Sequence, residues 1–225
     1  MSAGLYTQLL DLACGAFLLA AVLVLWWREL AAVVRVFALQ GVALATIAVL
    51  LGAHEQRWDL IAVGVGVGVL RAGALPYLMR RALAALAADR GSEEVRETQP
   101  LVNVAASLLT AALLTLLAYA VARPLTGLDP TPATRALPVG LAVVLIGFFV
   151  LVTRRRALAQ VVGFLLLDNG ITATAFLATS GVPLIVELGV SFDVLLAVLV
   201  LQILTTRMRA AFGTTDIDDL RELHD

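Results

Sequence analysis

The chain has 225 residues, of which 61% are hydrophobic and only 15% are charged, and its formal net charge is −1. An ordinary soluble domain carries roughly 25% charged residues, so this composition excludes a soluble globular fold. Apolar runs recur along the whole chain, which also excludes a signal peptide followed by a soluble body. The net charge identifies no partner, and we expect no nucleic acid among the partners.

Seven apolar segments are long enough to cross the hydrocarbon core of a bilayer, which takes about 20 helical residues. In chain order they are 5–27, 30–52, 59–79, 101–122, 136–153, 157–180 and 183–206. Their residues do not alternate as in barrel strands, so helices must satisfy the backbone within lipid. The sequence therefore predicts an all-α integral membrane protein with about seven transmembrane helices.

The arginines predict the orientation of these helices, because cytoplasmic loops carry an excess of basic residues. All sixteen basic residues are Arg, and twelve of them are cytoplasmic if the N-terminus lies outside. The twelve are Arg28, Arg35, Arg80, Arg81, Arg90, Arg96, Arg154, Arg155, Arg156, Arg207, Arg209 and Arg221. We expect a multi-pass protein of the inner (cytoplasmic) membrane, with its N-terminus outside and its C-terminus in the cytoplasm.

The third span contains the stretch "GVGVGVLRAGALPYL". No strand–turn–helix context accompanies these glycines, so Gly64, Gly66 and Gly68 indicate close helix packing rather than a nucleotide site. Pro76 has no N–H to donate to the carbonyl of Ala72, which predicts a kink at this point of the helix.

Three acids lie in the last two spans: Asp168, Glu187 and Asp193. Asp168 and Asp193 fall near the middle of the bilayer, as does Arg71 in the third span. A charge at that depth costs about 2.5–3.5 kcal/mol on insertion scales, so such residues mark pairing or transport pathways. Glu187 lies closer to the outer surface, where it is either a gate or a residue reaching for the interface.

Two roles remain open for these charges. Arg71 can form a buried ion pair with Asp168 or Asp193 that fixes helix register. With one base for three acids, at least one carboxyl group lacks a cation and is suited to taking up and releasing protons. The polar residues that could line such a pathway are Gln40, Asn103, Ser107, Asn169, Thr172, Thr174, Ser191 and Gln202.

Motifs of an autonomous active site are absent from the sequence, which has no Ser-His-Asp, HExxH, CxxC or P-loop pattern. Cys14 is the single cysteine, so neither a disulfide nor a Cys-ligated metal is expected. His54 and Glu55 lie in a predicted outer turn, where solvated residues are usual. We expect no cofactor and no metal.

The last segment, residues 213–225, is polar, unlike the apolar spans before it. Asp216, Asp218 and Asp219 suit the start of a helix, and Ile217, Leu220 and Leu223 give that helix one apolar edge. Such an edge on a cytoplasmic tail predicts docking to a partner protein.

The run "VGFLLLDNGITATAFLATSGVPLIVELGVSFDVLLAVLVL", followed by "RMRAAFGTTDIDDLREL", resembles the C-terminal half of hydrogenase-4 component E. The span count and "RAGALPYLMRR" in the third helix are similar to the same family, so the likeness extends over nearly the whole chain. Residues 136–210 more distantly resemble subunit K of complex I and the C subunit of Mrp-type antiporters. On these two resemblances the chain divides into a four-helix segment at 1–125, a three-helix segment at 136–210 and the tail helix at 213–225.

The resemblance implies a membrane-arm subunit of a hydrogenase-4 or formate-hydrogenlyase-like complex, in contact with antiporter-like and complex-I-like membrane subunits and, through the tail, with cytoplasmic redox subunits. Asp168 takes the place of the Glu in the family's "ENG", and Glu187 and Asp193 match its two following acids. Arg71 stands where component E has a basic residue. These four residues are thereby expected in a lateral proton pathway. The alternatives are a subunit of a multisubunit cation/proton antiporter and a purely structural scaffold subunit.

Overall fold

The computed structural model describes residues 2–27, 29–90, 103–127, 130–154 and 157–179, and their regular secondary structure is helical. A π-helical segment, Gly68–Ala74, joins helix α3 (Trp58–Val67) to helix α4 (Leu75–Arg90) without a break. We refer to α3, this π segment and α4 together as the interrupted helix. The helices are α1 (Ala3–Trp26), α2 (Leu30–Glu55), α3 (Trp58–Val67), α4 (Leu75–Arg90), α5 (Val104–Thr126), α6 (Pro132–Thr153) and α7 (Ala157–Thr179).

Six stretches of the described chain are long and apolar enough to cross a membrane. They correspond to the first six predicted spans, which confirms an all-α, multi-pass membrane protein. The predicted seventh span at 183–206 and the tail helix at 213–225 lie outside the described residues, as do Glu187 and Asp193.

The connection between α5 and α6 is shorter than the sequence suggested. Helix α5 continues through Arg123 and Pro124 to Thr126, and α6 begins at Pro132 rather than at 136. Thr131 caps α6: its hydroxyl accepts from the Thr134 N–H at 3.1 Å, and the Thr134 hydroxyl accepts from the Thr131 N–H at 2.9 Å. This is a reciprocal capping box in which Thr replaces the usual Glu or Gln, and it starts the helix at the proline.

Helices α6 and α7 pack against each other through glycines on both sides. Gly140 lies against the backbone of Thr174, and Gly147 against that of Leu167. In the other direction, Gly163 and Gly170 lie against α6. Side chains at these positions would collide with backbone atoms, so the glycines fix the close antiparallel contact of the two helices.

Helix α2 packs against the interrupted helix in the same manner. A Cβ on Gly64 would lie 2.8 Å from Val49, and one on Gly68 would lie 3.1 Å from Ala45. The predicted packing role of these two glycines is confirmed. On the α2 side, a Cβ on Gly41 would lie 2.7 Å from the carbonyl carbon of Arg71, so the backbones of α2 and the π segment are in direct contact.

Where the sequence predicts a kink before Pro76, the structure has the π segment. The N–H of Leu75 donates to the carbonyl of Leu70, five residues earlier, as in a π-helix. Because Pro76 has no N–H, the helix loses one hydrogen bond at this point. The irregularity coincides with Arg71, which the π segment turns into the protein interior.

The first helix closes the bundle by packing on α2, α6 and α5. Phe17 of α1 and Phe37 of α2 are completely buried in this core. Near the N-terminus of α1, the buried ring of Tyr6 stacks on His54, with ring centroids 3.9 Å apart. His54 lies in the last turn of α2, where it is exposed, as expected for a solvated residue, and one face of its ring packs on α1.

Candidate functional site

Arg71 is the largest fully buried side chain of the described chain, with 1% of its surface exposed. A guanidinium group remains protonated in proteins and carries five N–H donors, so burying it requires acceptors and a countercharge. Helix α7 provides both from one face, because Thr172 lies four residues after Asp168 and three after Asn169.

The contacts of Arg71 are short and directed to α7. Its Nη1 donates to Asn169 Oδ1 at 2.5 Å, and its Nη2 donates to Thr172 Oγ1 at 2.9 Å. Asp168 Oδ2 lies 2.7 Å from the same Nη1. The cation in the third span is thus neutralised by an acid in the sixth.

The contact between Arg71 and Asp168 is a buried ion pair. Although Oδ2 lies close to Nη1, it has no hydrogen bond of acceptable geometry among the described residues. Nη1, which has two N–H groups, also donates to Asn169. A carboxylate has about four acceptor positions, so Asp168 can accept a further hydrogen bond or a proton while it is paired with Arg71.

A third helix joins this cluster through Gln40. Asn169 Nδ2 donates to Gln40 Oε1 at 2.9 Å, and both residues are buried. Gln40 Nε2 has no hydrogen-bond partner among the residues that the structure describes. A chain of polar groups therefore runs from α2 across α7 to the π segment. We call Gln40, Arg71, Asp168, Asn169 and Thr172 the buried polar cluster.

The structure brings together some of the residues singled out in the sequence and separates others. Arg71 and Asp168 are paired, and Gln40, Asn169 and Thr172 surround them. Asn103 instead caps α5 by accepting from the Ala105 N–H, and the Thr174 hydroxyl donates to the Gly170 carbonyl of its own helix. Glu187 and Asp193 lie outside the described residues, so their place in a proton pathway stays a prediction.

The sequence analysis did not identify the structural role of Arg154 and did not consider Asp11. Arg154, grouped there with its neighbours as an orientation signal, is buried, and its Nη2 donates to the Val24 carbonyl at 3.5 Å. It thereby joins the C-terminal end of α6 to that of α1, where a cation suits the helix dipole.

Asp11 is an acid within the first span. Its position inside an apolar run was the sequence signal that could have marked it as a candidate functional residue.

The chemistry available to the buried polar cluster is that of proton and charge handling. The Asp168 carboxylate can take up a proton, whereas Arg71 holds its charge, and the amide and hydroxyl groups offer both donors and acceptors. Within the described ranges, no three His, Cys, Asp or Glu side chains lie close enough to hold a metal ion together.

Comparisons with known proteins place the chain in a family context. The chain is 52% identical to the uncharacterized protein Rv0085 of Mycobacterium tuberculosis over 225 residues, the full length of both. It is 34% identical over 120 residues to Hydrogenase-4 component E of Escherichia coli K12, and the same values hold for that of Shigella flexneri. The component E alignment covers 51% of this chain and 53% of the relative, so the predicted resemblance is confirmed over half the chain rather than nearly all of it. Neither a protein-family model nor a solved structure matches.

Proposed function

Because the chain belongs to the family of the Mycobacterium tuberculosis protein Rv0085 and is similar over half its length to hydrogenase-4 component E, we propose that it is a membrane-arm subunit of a hydrogenase-4-like, complex-I-related redox complex. It lies in the inner membrane beside antiporter-like subunits. Its buried carboxylates contribute to proton translocation, and it has no active site of its own.

The observation that carries this proposal is the Arg71–Asp168 pair inside six apolar spans. Protonation of Asp168 would cancel its attraction for Arg71 but would leave the guanidinium bonded to Asn169 and Thr172. The cluster therefore offers a carboxyl group that can change charge without the cation losing all its partners. Asp193 and Glu187 extend the pathway in this proposal.

The same ion pair also supports a second candidate, a scaffold subunit in which Arg71 and Asp168 only fix the register of two helices. The two candidates predict different defects. A relay loses proton movement when Asp168 can no longer titrate, whereas a scaffold loses assembly when the pair is broken.

The first experiment is purification of the tagged chain from its native membrane. We expect NiFe-hydrogenase-like or complex-I-like subunits to co-purify with it. Recovery of antiporter subunits without any redox subunit would instead support membership of a multisubunit cation/proton antiporter and would overturn the redox proposal.

The second experiment measures protons translocated per electron by the purified complex in proteoliposomes. Asp168→Asn keeps the shape of the side chain but removes its titrating proton, so the complex should assemble and its proton translocation should fall. Glu29→Gln, at an exposed position before α2, is the matched control and should translocate normally. Normal translocation by an Asp168→Asn, Asp193→Asn double variant would reject the relay, and poor assembly with normal translocation per complex would identify the scaffold.

A further inference from the structure

The face of α1 that points away from the bundle carries polar and small residues beside the exposed side chains of Leu5, Leu12 and Leu19. The inward face buries large side chains such as Leu10 and Phe17. On the opposite side, Gly4, Gln8, Asp11 and Gly15 are all exposed. Their spacing of four, three and four residues places them in one stripe along the helix. We call these four residues the open stripe of α1.

Exposing the Asp11 side chain to lipid would be energetically unfavourable. It lies eight residues after the start of α1, or about 12 Å along a helix of about 36 Å. An acid at the centre of a transmembrane helix costs about 2.5–3.5 kcal/mol on insertion scales, and Asp11, a third of the way along, bears part of that cost. A short aspartate also reaches the interface less readily than a long basic side chain. In the described part of the chain, neither Asp11 nor Gln8 forms an ion pair or a side-chain hydrogen bond.

The two glycines of the stripe lie on the same face as Asp11. Elsewhere in the described spans, glycines such as Gly41, Gly64 and Gly147 lie where another helix approaches closely, whereas Gly73 does not. A Cβ on Gly4 or Gly15 would have nothing within 4 Å. Glycine weakens a helix by about 1 kcal/mol relative to alanine, and small residues in membrane helices typically permit close approach of a neighbour.

We infer that the open stripe of α1 docks a transmembrane helix of another subunit, and that this helix places an Arg or Lys opposite Asp11. The cation follows from charge complementarity, because an acid at this depth requires a countercharge or a hydrogen-bond donor. Gly15 and Gly4 allow the two backbones to approach, and Gln8 supplies a further interhelical hydrogen bond.

The sequence argues against occupants from this chain itself. The predicted span at 183–206 contains two acids and no basic residue, so it cannot supply the cation. A second copy docked through the same stripe would place acid near acid, since α1 has no basic residue either. The inference does not depend on proton transport by the buried polar cluster, because the open stripe faces the other way.

The test is photo-cross-linking in the native membrane, with p-benzoylphenylalanine in place of Gln8 in the otherwise unchanged chain. We expect a cross-link to a transmembrane segment of one other protein, within a helical turn of an Arg or Lys. The same cross-linker in place of Ala112, exposed on α5, is the control and should not capture that segment. A cross-link to a second copy, to residues 183–206, to lipid alone or to a segment without a basic residue would overturn the inference.

Two variants test the chemistry of the contact. Asp11→Leu removes the acid while keeping the number of side-chain heavy atoms, so it should insert at least as well as the wild type while the cross-link from position 8 falls several-fold. Gly15→Leu should block the approach and reduce the cross-link similarly, whereas Ala112→Leu should not. An undiminished cross-link in Asp11→Leu would show that the acid does not hold the partner.

Discussion

At the residue scale, Arg71 is the side chain on which the buried polar cluster depends. Arg71→Ala leaves Asp168 as a buried acid without its cation, and breaking a buried pair in this way typically costs about 3–5 kcal/mol. We expect a large fall in the thermal midpoint of the detergent-solubilised protein. Arg57→Ala is the control, because the pairs of Arg57 with Asp59 and Glu55 are solvent-exposed, and it should leave the midpoint nearly unchanged.

The double variant Arg71→Leu, Asp168→Leu separates charge from packing. If the cost of Arg71→Ala arises from the stranded acid, removing both charges should recover much of the lost stability, since buried pairs are often replaceable by apolar residues. A double variant as unstable as Arg71→Ala would show instead that the shape of the cluster matters more than its charge balance.

Thr172 provides a smaller test of the same cluster. Thr172→Val removes the oxygen that accepts from Arg71 Nη2 while keeping the side-chain volume, and a hydrogen bond to a charged group contributes about 1.5–3 kcal/mol. Thr46→Val is the matched control, because the Thr46 hydroxyl is exposed and bonds only to the Val42 carbonyl of its own helix. We expect a lower midpoint in thermal unfolding for Thr172→Val alone.

The cluster was predictable in part, and the reason differs between its residues. Arg71 and Asp168 stand out because charges inside apolar runs must find partners. Gln40, Asn169 and Thr172 were recognised as polar but could not be assigned to one site, since single polar residues serve equally well between any two helices. Which acid pairs with Arg71 depends on the packing of α7 against α2, which sequence spacing does not specify.

At the scale of elements, glycines determine how closely the helices approach. Gly41→Ala would place a methyl group 2.7 Å from the carbonyl carbon of Arg71, so the π segment or α2 must shift. Overpacking of this kind costs about 1–3 kcal/mol. Gly73→Ala, in the same π segment, adds a methyl group with nothing within 4 Å and should be neutral or slightly stabilising. Equal effects of the two variants on the thermal midpoint would contradict this packing.

Helix positions were easier to predict than helix ends. The first six spans follow from apolar length alone, because the bilayer imposes a minimum number of residues. The start of α6 was placed too late because the prolines and threonines before it were interpreted as loop. Thr131, Pro132 and Thr134 instead form its cap and first turn, a signal that only the reciprocal hydrogen bonds reveal.

At the scale of the whole molecule, the orientation in the membrane stays a prediction from the arginines, and the chain is well suited to testing it. Its single cysteine, Cys14, is buried and should give little background in thiol labelling. Glu55→Cys and Glu29→Cys place exposed thiols at opposite ends of α2. A membrane-impermeant maleimide should label position 55 in intact cells and position 29 only after permeabilisation. The opposite pattern would invert the proposed orientation.

The contrast between the π segment and the α6–α7 pair has a consequence for motion. Glycine contacts repeated along α6 and α7 hold Asp168 in a rigid two-helix unit, whereas Arg71 lies in a segment with π-type hydrogen bonding and a proline at its end. Local opening is cheapest where backbone hydrogen bonds are fewest, so amide hydrogen exchange should be faster at Gly68–Ala74 than at residues 163–170. If the Arg71–Asp168 pair separates, we therefore expect Arg71 to move and Asp168 to keep its position in the α6–α7 unit.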